Sequence, residues 1–141
     1  MAPAYYLDTS VLLRVLLRLP GAWSGWSKLK YAGASELLEL ECIRTLERYR
    51  LAGKLDDDGL AMARSNFERV YASLHVQPID RTILSRAKES FPTPVGSLDA
   101  IHLATAMAFS RTANARVSFL THDKELGKAA AALGLTVVGV E

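Results

Sequence analysis

Short apolar runs alternating with helical patterns along the whole chain constrain this fold more than any other feature. Tyr5 to Leu7, Tyr31 to Ala34, His75 to Ile79, Val117 to Thr121 and Thr136 to Val140 read as strands. Their apolar residues run together instead of alternating with polar ones, the pattern of strands buried on both faces, which occurs where helices cover both sides of a parallel sheet. The reading is therefore an α/β fold: a central parallel sheet of four to five strands with helices on both faces.

Local signals place the helices. Thr9 or Ser10 can cap a first helix carrying Val11, Leu12, Val15 and Leu16, which Pro20-Gly21 ends. Ser35 can cap a second from about Glu36 to Ala52, stopped by Gly53. Asp56-Asp57-Asp58 opens a third running through about Ser73, its acids complementing the helix dipole. Asp80 caps a fourth to about Ser90. The Pro/Gly-rich loop Phe91 to Gly96 leads through Ser97 into a helix from Leu98 to about Arg111, and a last helix covers Lys124 to Leu133, with Gly134 as its stop.

The 141 residues, half of them hydrophobic, suffice for one domain spanning 1–141 with a sizeable core; no repeat, low-complexity tract or linker divides it. A net charge of +2 and a pI near 8.8 permit a polyanionic partner without requiring one. Cys42, the single cysteine, excludes an intramolecular disulfide and a multi-cysteine zinc site, and fits helix packing in a reducing compartment. Arg14 and Arg18 interrupt the first apolar stretch, and no basic region precedes it. Neither a signal peptide nor a membrane span is supported, and a cytoplasmic protein is expected.

Four acids stand apart. Asp8 follows the first strand directly, at the carboxyl end where open α/β sheets bind ligands. Asp123 lies just past the Val117 strand, Asp99 in the first turn after Ser97, and Glu41 inside the apolar helical segment Leu37 to Leu46. Each has a plainer reading. Asp8 and Asp123 can cap the helices that follow them, and Asp99 can serve the helix dipole. Glu41 resists that treatment, because Leu37, Leu38 and Thr45 share its helix face and turn it toward the interior, where a carboxylate needs a partner. Glu36, Glu39 and Glu47 read as solvated charges, Glu47 within reach of Arg44 or Arg50. Four carboxylates gathered in one place repel one another unless a cation or shared protons hold them, so such a site calls for a divalent metal.

Taken together and in order, Tyr5-Tyr6-Leu7-Asp8-Thr9-Ser10-Val11-Leu12, Ser35 through Arg44, the block Ser97-Leu98-Asp99-Ala100-Ile101-His102-Leu103-Ala104-Thr105-Ala106, and Leu120-Thr121-His122-Asp123 resemble PIN-domain proteins, most closely the VapC-type toxins of bacterial toxin/antitoxin pairs. The resemblance covers essentially the whole chain. It implies a Rossmann-like sheet and a metal-dependent endoribonuclease that hydrolyses RNA phosphodiester bonds with a metal-activated water, leaving a 5′-phosphate and a 3′-hydroxyl. It also implies Asp8, Glu41, Asp99 and Asp123 as the acidic set, an antitoxin partner and a homodimer. Many such toxins carry a basic residue just before the Ser-Leu-Asp block, where this chain has Gly96. The alternative within the family is a non-toxin or inactive PIN domain that binds RNA or a protein partner.

The chemistry agrees with the residue types. Mg²⁺ or Mn²⁺ takes hard oxygen ligands, neutralises phosphate charge and lowers the pKa of a water. Asp8 and Asp99 are read as principal ligands and Asp123 as a ligand directly or through water. Glu41 binds the metal or orients the attacking water, and Thr9, Ser10 and Thr121 support the acids by hydroxyl hydrogen bonds. His102, one turn beyond Asp99, reads as a packing histidine outside the site. His75 and His122 lack companions at zinc-ligand spacing. Arg44 can meet Glu41 or an RNA phosphate, and the intramolecular pair is favoured. Arg14, Arg18, Lys28 and Lys30 border an RNA path or form a solvated face. Trp23 and Trp26 serve as core, as dimer contact or as a groove for a partner helix. A receiver domain would carry adjacent acids after its first strand and a lysine closing its last; a haloacid-dehalogenase-like phosphatase would place an aspartate at position 10. Thr9, Ser10 and the lysine-free Thr136 to Val140 disagree with both.

Overall fold

In the computed structural model, which describes residues 3–141, five strands form one wholly parallel sheet. The strands are β1 (Ala4–Leu7), β2 (Ala32–Ser35), β3 (His75–Gln77), β4 (Val117–Leu120) and β5 (Thr136–Val138). The helices are α1 (Thr9–Leu16), α2 (Leu37–Leu51), α3 (Asp57–Ala72), α4 (Arg81–Ala87), α5 (Ser97–Thr112) and α6 (Lys124–Ala132), with a turn of 3-10 helix at Trp26–Lys28. The strand order β3-β2-β1-β4-β5 puts the first strand in the middle of the sheet. β1 pairs with β2 on one side and with β4 on the other, Leu7 opposite Leu120.

Alternation along β1 builds two cores. Ala4 and Tyr6 point to one face and pack with Val117 and Phe119 of β4, Leu103, Ala106 and Phe109 of α5, and Leu126, Ala129 and Ala130 of α6. Leu7 points to the other, against Val11, Leu12 and Leu16 of α1, Leu38 and Cys42 of α2, and Phe67 of α3. Each fully buried side chain such as Phe119 or Leu120 contributes about 1.5–3 kcal/mol, so the central strands are where the sheet is anchored. On the face covered by α5, Gly33 of β2 lies so close to the Phe109 ring that a Cβ there would sit 2.8 Å from its carbons.

Caps end most helices as the sequence predicts. Asp56 accepts from the Gly59 N–H at 2.7 Å and Asp80 from the Ile83 N–H at 2.9 Å. Gly53 and Gly134 take positive φ just past α2 and α6. Several boundaries differ. β3 and β5 stop at Gln77 and Val138, and α4 stops at Ala87. Helix α1 ends at Leu16, four residues ahead of Pro20, where Arg18 enters the left-handed region with φ of 54°. Ser35 belongs to β2 and its hydroxyl accepts from the Leu37 N–H at 3.1 Å. Glu36 is exposed, as a solvated charge should be, and its carboxylate also accepts from the Ile79 N–H, tying the segment after β3 to the start of α2. Trp23 packs on Tyr5, ring centroids 5.3 Å apart, and with Trp26 adds to the core on the α1 side.

Candidate active site

Parallel strands bring all their carboxyl ends to one edge, and the four acids of the sequence motifs arrive there by different routes. Asp8 follows β1, Asp123 follows β4, Glu41 sits in the second turn of α2 and Asp99 in the first turn of α5. All four line one cleft of about 470 Å³, together with Thr9, Ser10, Leu13, Leu37, Leu40, Arg44, Thr45, Arg48 and Leu98.

Asp8 occupies the N-cap position of α1 yet makes no capping hydrogen bond. Its Oδ2 instead accepts from the Ser10 hydroxyl at 2.6 Å and from the Thr121 hydroxyl at 2.8 Å. The Thr9 hydroxyl turns to Glu41 Oε1 at 2.6 Å, so neither Thr9 nor Ser10 is the cap that the sequence predicts. Asp123 does cap: its Oδ1 accepts from the Glu125 N–H at 3.0 Å and the Leu126 N–H at 3.2 Å. A common arrangement emerges. Asp8, Glu41 and Asp123 are each held through one oxygen, Oδ2, Oε1 and Oδ1 respectively, and the second oxygen of each makes no hydrogen bond among the described residues. Capping and a place in the cleft are compatible because a carboxylate has two oxygens.

His102 is the residue that the sequence reading leaves out and the structure brings in. It is buried in α5, and its Nε2 donates to Glu41 Oε1 at 2.7 Å while lying 3.9 Å from Asp8 Oδ1. Because a carboxylate only accepts, that contact puts a proton on Nε2, and the buried Tyr6 hydroxyl meets Nδ1 at 2.8 Å. The packing histidine is therefore also the acid's partner. Its position three residues beyond Asp99, on one face of the helix, is the signal available in the sequence. Arg44, by contrast, makes no ion pair with Glu41; Glu47 pairs with Arg50. His75 stacks on Tyr31, and His122 meets the Gly139 carbonyl oxygen through Nδ1 at 2.8 Å.

The electrostatics follow from these contacts. Burial works to raise Glu41, but the hydrogen bonds from His102 and Thr9 outweigh it and hold the carboxyl below its ordinary value. For His102 burial favours the neutral ring, and the Glu41 bond with the Asp8 and Glu41 charges overcomes it, so its pKa is raised. Asp99 is raised by burial and then by the charges of Asp123 and Asp8. Burial and then the charges of Glu41 and Asp8 push the Cys42 thiol up to about 12, keeping it an inert packing group.

Side-chain positions as they stand do not close a cage: among the described residues no three His, Cys, Asp or Glu groups are arranged to hold an ion. The donor chemistry does fit a hard divalent cation. Asp8, Asp99 and Asp123 have no Lys or Arg counter-ion within 4 Å among the described residues, and Asp99 bears the mutual repulsion as a raised pKa.

Comparisons with known proteins agree with this arrangement. A family model described as PIN domain matches residues 5–132. Ribonuclease VapC35 of Mycobacterium tuberculosis is 35% identical over 141 residues, with 94% of each chain covered. Ribonuclease VapC46 of the same organism is 28% identical over 137 residues, with 96% of each covered. Among solved structures, VapBC2 from Rickettsia felis bound to a DNA fragment from their promoter gives a TM-score of 0.66 at 12% identity, covering 96% of this chain and 97% of that one. A toxin–antitoxin complex from Klebsiella pneumoniae gives 0.63 at 14%, covering 95% of each. At such identities the two structures speak for the fold, a parallel α/β sheet with β1 at its centre, while the family model and the 35% relative span nearly the whole sequence: this chain belongs to the PIN-domain family.

Proposed function

We propose that this chain is a divalent-metal-dependent endoribonuclease and the toxin of a toxin/antitoxin pair. The observation that carries the proposal is the set of carboxylates at the carboxyl edge of the sheet, three of them pinned through one oxygen while the other makes no hydrogen bond among the described residues. Relatives named as VapC ribonucleases at 28–35% identity over nearly the full length support the reaction class. Neighbours solved as toxin–antitoxin complexes support an antitoxin partner. No helix among the described residues is long and apolar enough to cross a membrane.

Asp8, Asp99 and Asp123 would hold Mg²⁺ or Mn²⁺ through their carboxylate oxygens. When bound, such an ion supplies charge neutralisation at the scissile phosphate and a more acidic water. The chain's own residues do the rest. Ser10 and Thr121 hold the Asp8 carboxylate through Oδ2 and so limit its freedom to turn away from the cleft. The Asp123 carboxylate is fixed by the backbone of α6. Glu41, kept ionised by His102 and Thr9, has Oε2 available to accept a proton from a water entering the cleft and to orient it in line with the phosphate.

The test is purified protein with RNA, with Mn²⁺ added and with chelator in excess. Cleavage that needs the ion and vanishes in Asp8→Asn is expected. Unchanged cleavage with verified negligible metal defeats the proposal. Growth arrest on expression, relieved by Asp8→Asn and by co-expression of a co-purifying upstream neighbour, tests the toxin assignment; a harmless nuclease would instead be a PIN domain with another role.

A further inference from the structure

The cleft has a second wall whose chemistry differs from the acidic floor. Arg44 and Arg48 of α2 lie three and seven residues beyond Glu41, so they follow it on one helix face, spaced from each other by about 6 Å along the axis. Both are exposed, and neither has a carboxylate within 4 Å among the described residues. Arg48 reaches only the Thr45 hydroxyl, at 3.4 Å, and the nearby Glu47 is taken by Arg50. Beside these guanidiniums the rim carries two large apolar side chains open to solvent, Leu40 at 59% and Leu98 at 50% exposure. Cations left unpaired beside uncovered leucines, next to an acidic centre, form a surface with something still to bind.

The basic residues that the sequence offers as an RNA border lie elsewhere. Lys28 and Lys30 precede β2 and line a separate cavity with Pro3, Tyr5 and Trp23, at the amino end of the parallel strands and therefore opposite the acids. Arg14 is turned to the Pro20 carbonyl oxygen at 3.4 Å and Arg18 to the Met62 sulfur at 3.2 Å. Of the four candidates for an RNA border in the sequence, none lines the acidic cleft.

We infer that a single RNA strand leaves the acidic centre along α2, its phosphates contacting Arg44 and then Arg48 and its base faces resting on Leu40 and Leu98. The inference rests on the nuclease reading for the direction of the strand and adds the residues that carry it. Charge decides between possible occupants. Two successive unpaired guanidiniums beside four carboxylates suit a polyanion whose scissile phosphate is brought to the acids, since each arginine can grip a phosphate with two parallel N–H donors. Leucine side chains offer apolar contact to unstacked bases, which a duplex does not present.

The probe is a fluorescein-labelled single-stranded RNA oligonucleotide bound to the full-length chain carrying Asp8→Asn, in Mn²⁺, over a series of KCl concentrations. Adding Arg44→Gln or Arg48→Gln should each reduce the slope of log K against log salt by about 0.7, one phosphate contact apiece on a single strand. Lys28→Gln and Lys30→Gln should leave the slope unchanged. With Asp8 intact, the two arginine variants should raise KM for cleavage with little change in kcat. No measurable RNA binding, an unchanged slope in both arginine variants, or a slope lost only in the lysine variants overturns the path. So does loss of a co-purifying protein partner with RNA binding intact, which would make the wall a protein-docking face. Cleavage without arginine dependence would leave the nuclease standing and sink the path; arginine-dependent binding by a chain that never cleaves would do the reverse.

Discussion

Each side chain of the proposed site is defined by which of its atoms is already occupied. Asp8 receives two hydroxyls on Oδ2, and removing either donor loosens the carboxylate without removing its charge. Ser10→Ala and Thr121→Val should therefore lower Mn²⁺ affinity or cleavage by about 10–100-fold, less than Asp8→Asn, which should abolish cleavage while the circular dichroism of the fold is retained. Equal losses from all three would mean that Asp8 acts only as a structural acceptor. His102 is coupled to Glu41 by a single short contact, so the two should behave as one unit in a double-mutant cycle. His102→Leu takes the Nδ1 partner away from the buried Tyr6 hydroxyl and should cost about 1–3 kcal/mol of stability along with activity. His102→Gln, which keeps a donor, should fall between it and the wild type. Adding it to Glu41→Gln should lower kcat little beyond Glu41→Gln alone; fully multiplicative losses would show that His102 acts independently of Glu41.

At the level of elements, the sheet needs small residues where helices cross it closely. β2 reads Ala-Gly-Ala-Ser and is wholly buried, and Gly33 admits the Phe109 ring of α5 against the backbone. A methyl at position 33 has nowhere to go unless Phe109 moves, and Phe109 is itself buried among α5, β1 and β4. Gly33→Ala should cost about 1–3 kcal/mol by overpacking, read as a lower urea midpoint at unchanged m-value. A variant as stable as wild type would show that Phe109 repacks freely. Cutting the Asp56 cap of α3 is the milder control: Asp56→Ala should cost about 1 kcal/mol, because only the Gly59 N–H loses its partner.

Acids gathered at one edge make the stability of the whole molecule depend on pH and on cation. His102 has a raised pKa, so its contribution is complete below the ordinary value of 6.5 and is lost as pH rises through the raised one. Glu41 is lowered, so its contribution is present above the ordinary 4.5 and is lost as pH falls through the depressed value. Asp99, also raised, opposes folding once ionised, its benefit being present below 3.8 and lost as pH climbs through its own raised value. In chelator, denaturation midpoints should therefore fall away on the alkaline side above about 6.5 and on the acid side below about 4.5, and His102→Gln should flatten the alkaline limb. An alkaline limb unaltered in that variant would remove His102 as its origin. Added Mn²⁺ should stabilise the protein, by about 2.7 kcal/mol at a hundred times its Kd, and the gain should grow with pH as Asp99 ionises. A midpoint indifferent to Mn²⁺ at neutral pH would count against a metal site.

The sequence alone determined the architecture and singled out the four acids that meet in one cleft, because strand pattern and motif are both local. Continuous apolar strands between helical patterns mean a parallel sheet, and a parallel sheet sends Asp8 and Asp123 to the same edge whatever the details of packing. Glu41 was legible from the apolar neighbours on its own helix face, and the caps at Asp56 and Asp80 from residue type and spacing. Tertiary structure decided what each acid's atoms do. Thr9 and Ser10 stand where caps belong, yet their hydroxyls turn to Glu41 and Asp8, partners 32 and two residues away. His102 reads from its helix as an ordinary buried histidine, and only the packing of α5 against the sheet sets it between Tyr6 and Glu41. Arg44 had a carboxylate one turn away, and only the folded cleft shows that it lines the wall without pairing with Glu41. The physical reason is the reach of the interactions: propensity, periodicity and capping act within a few residues, whereas a hydrogen bond between side chains 61 or 96 positions apart exists only once the chain has folded.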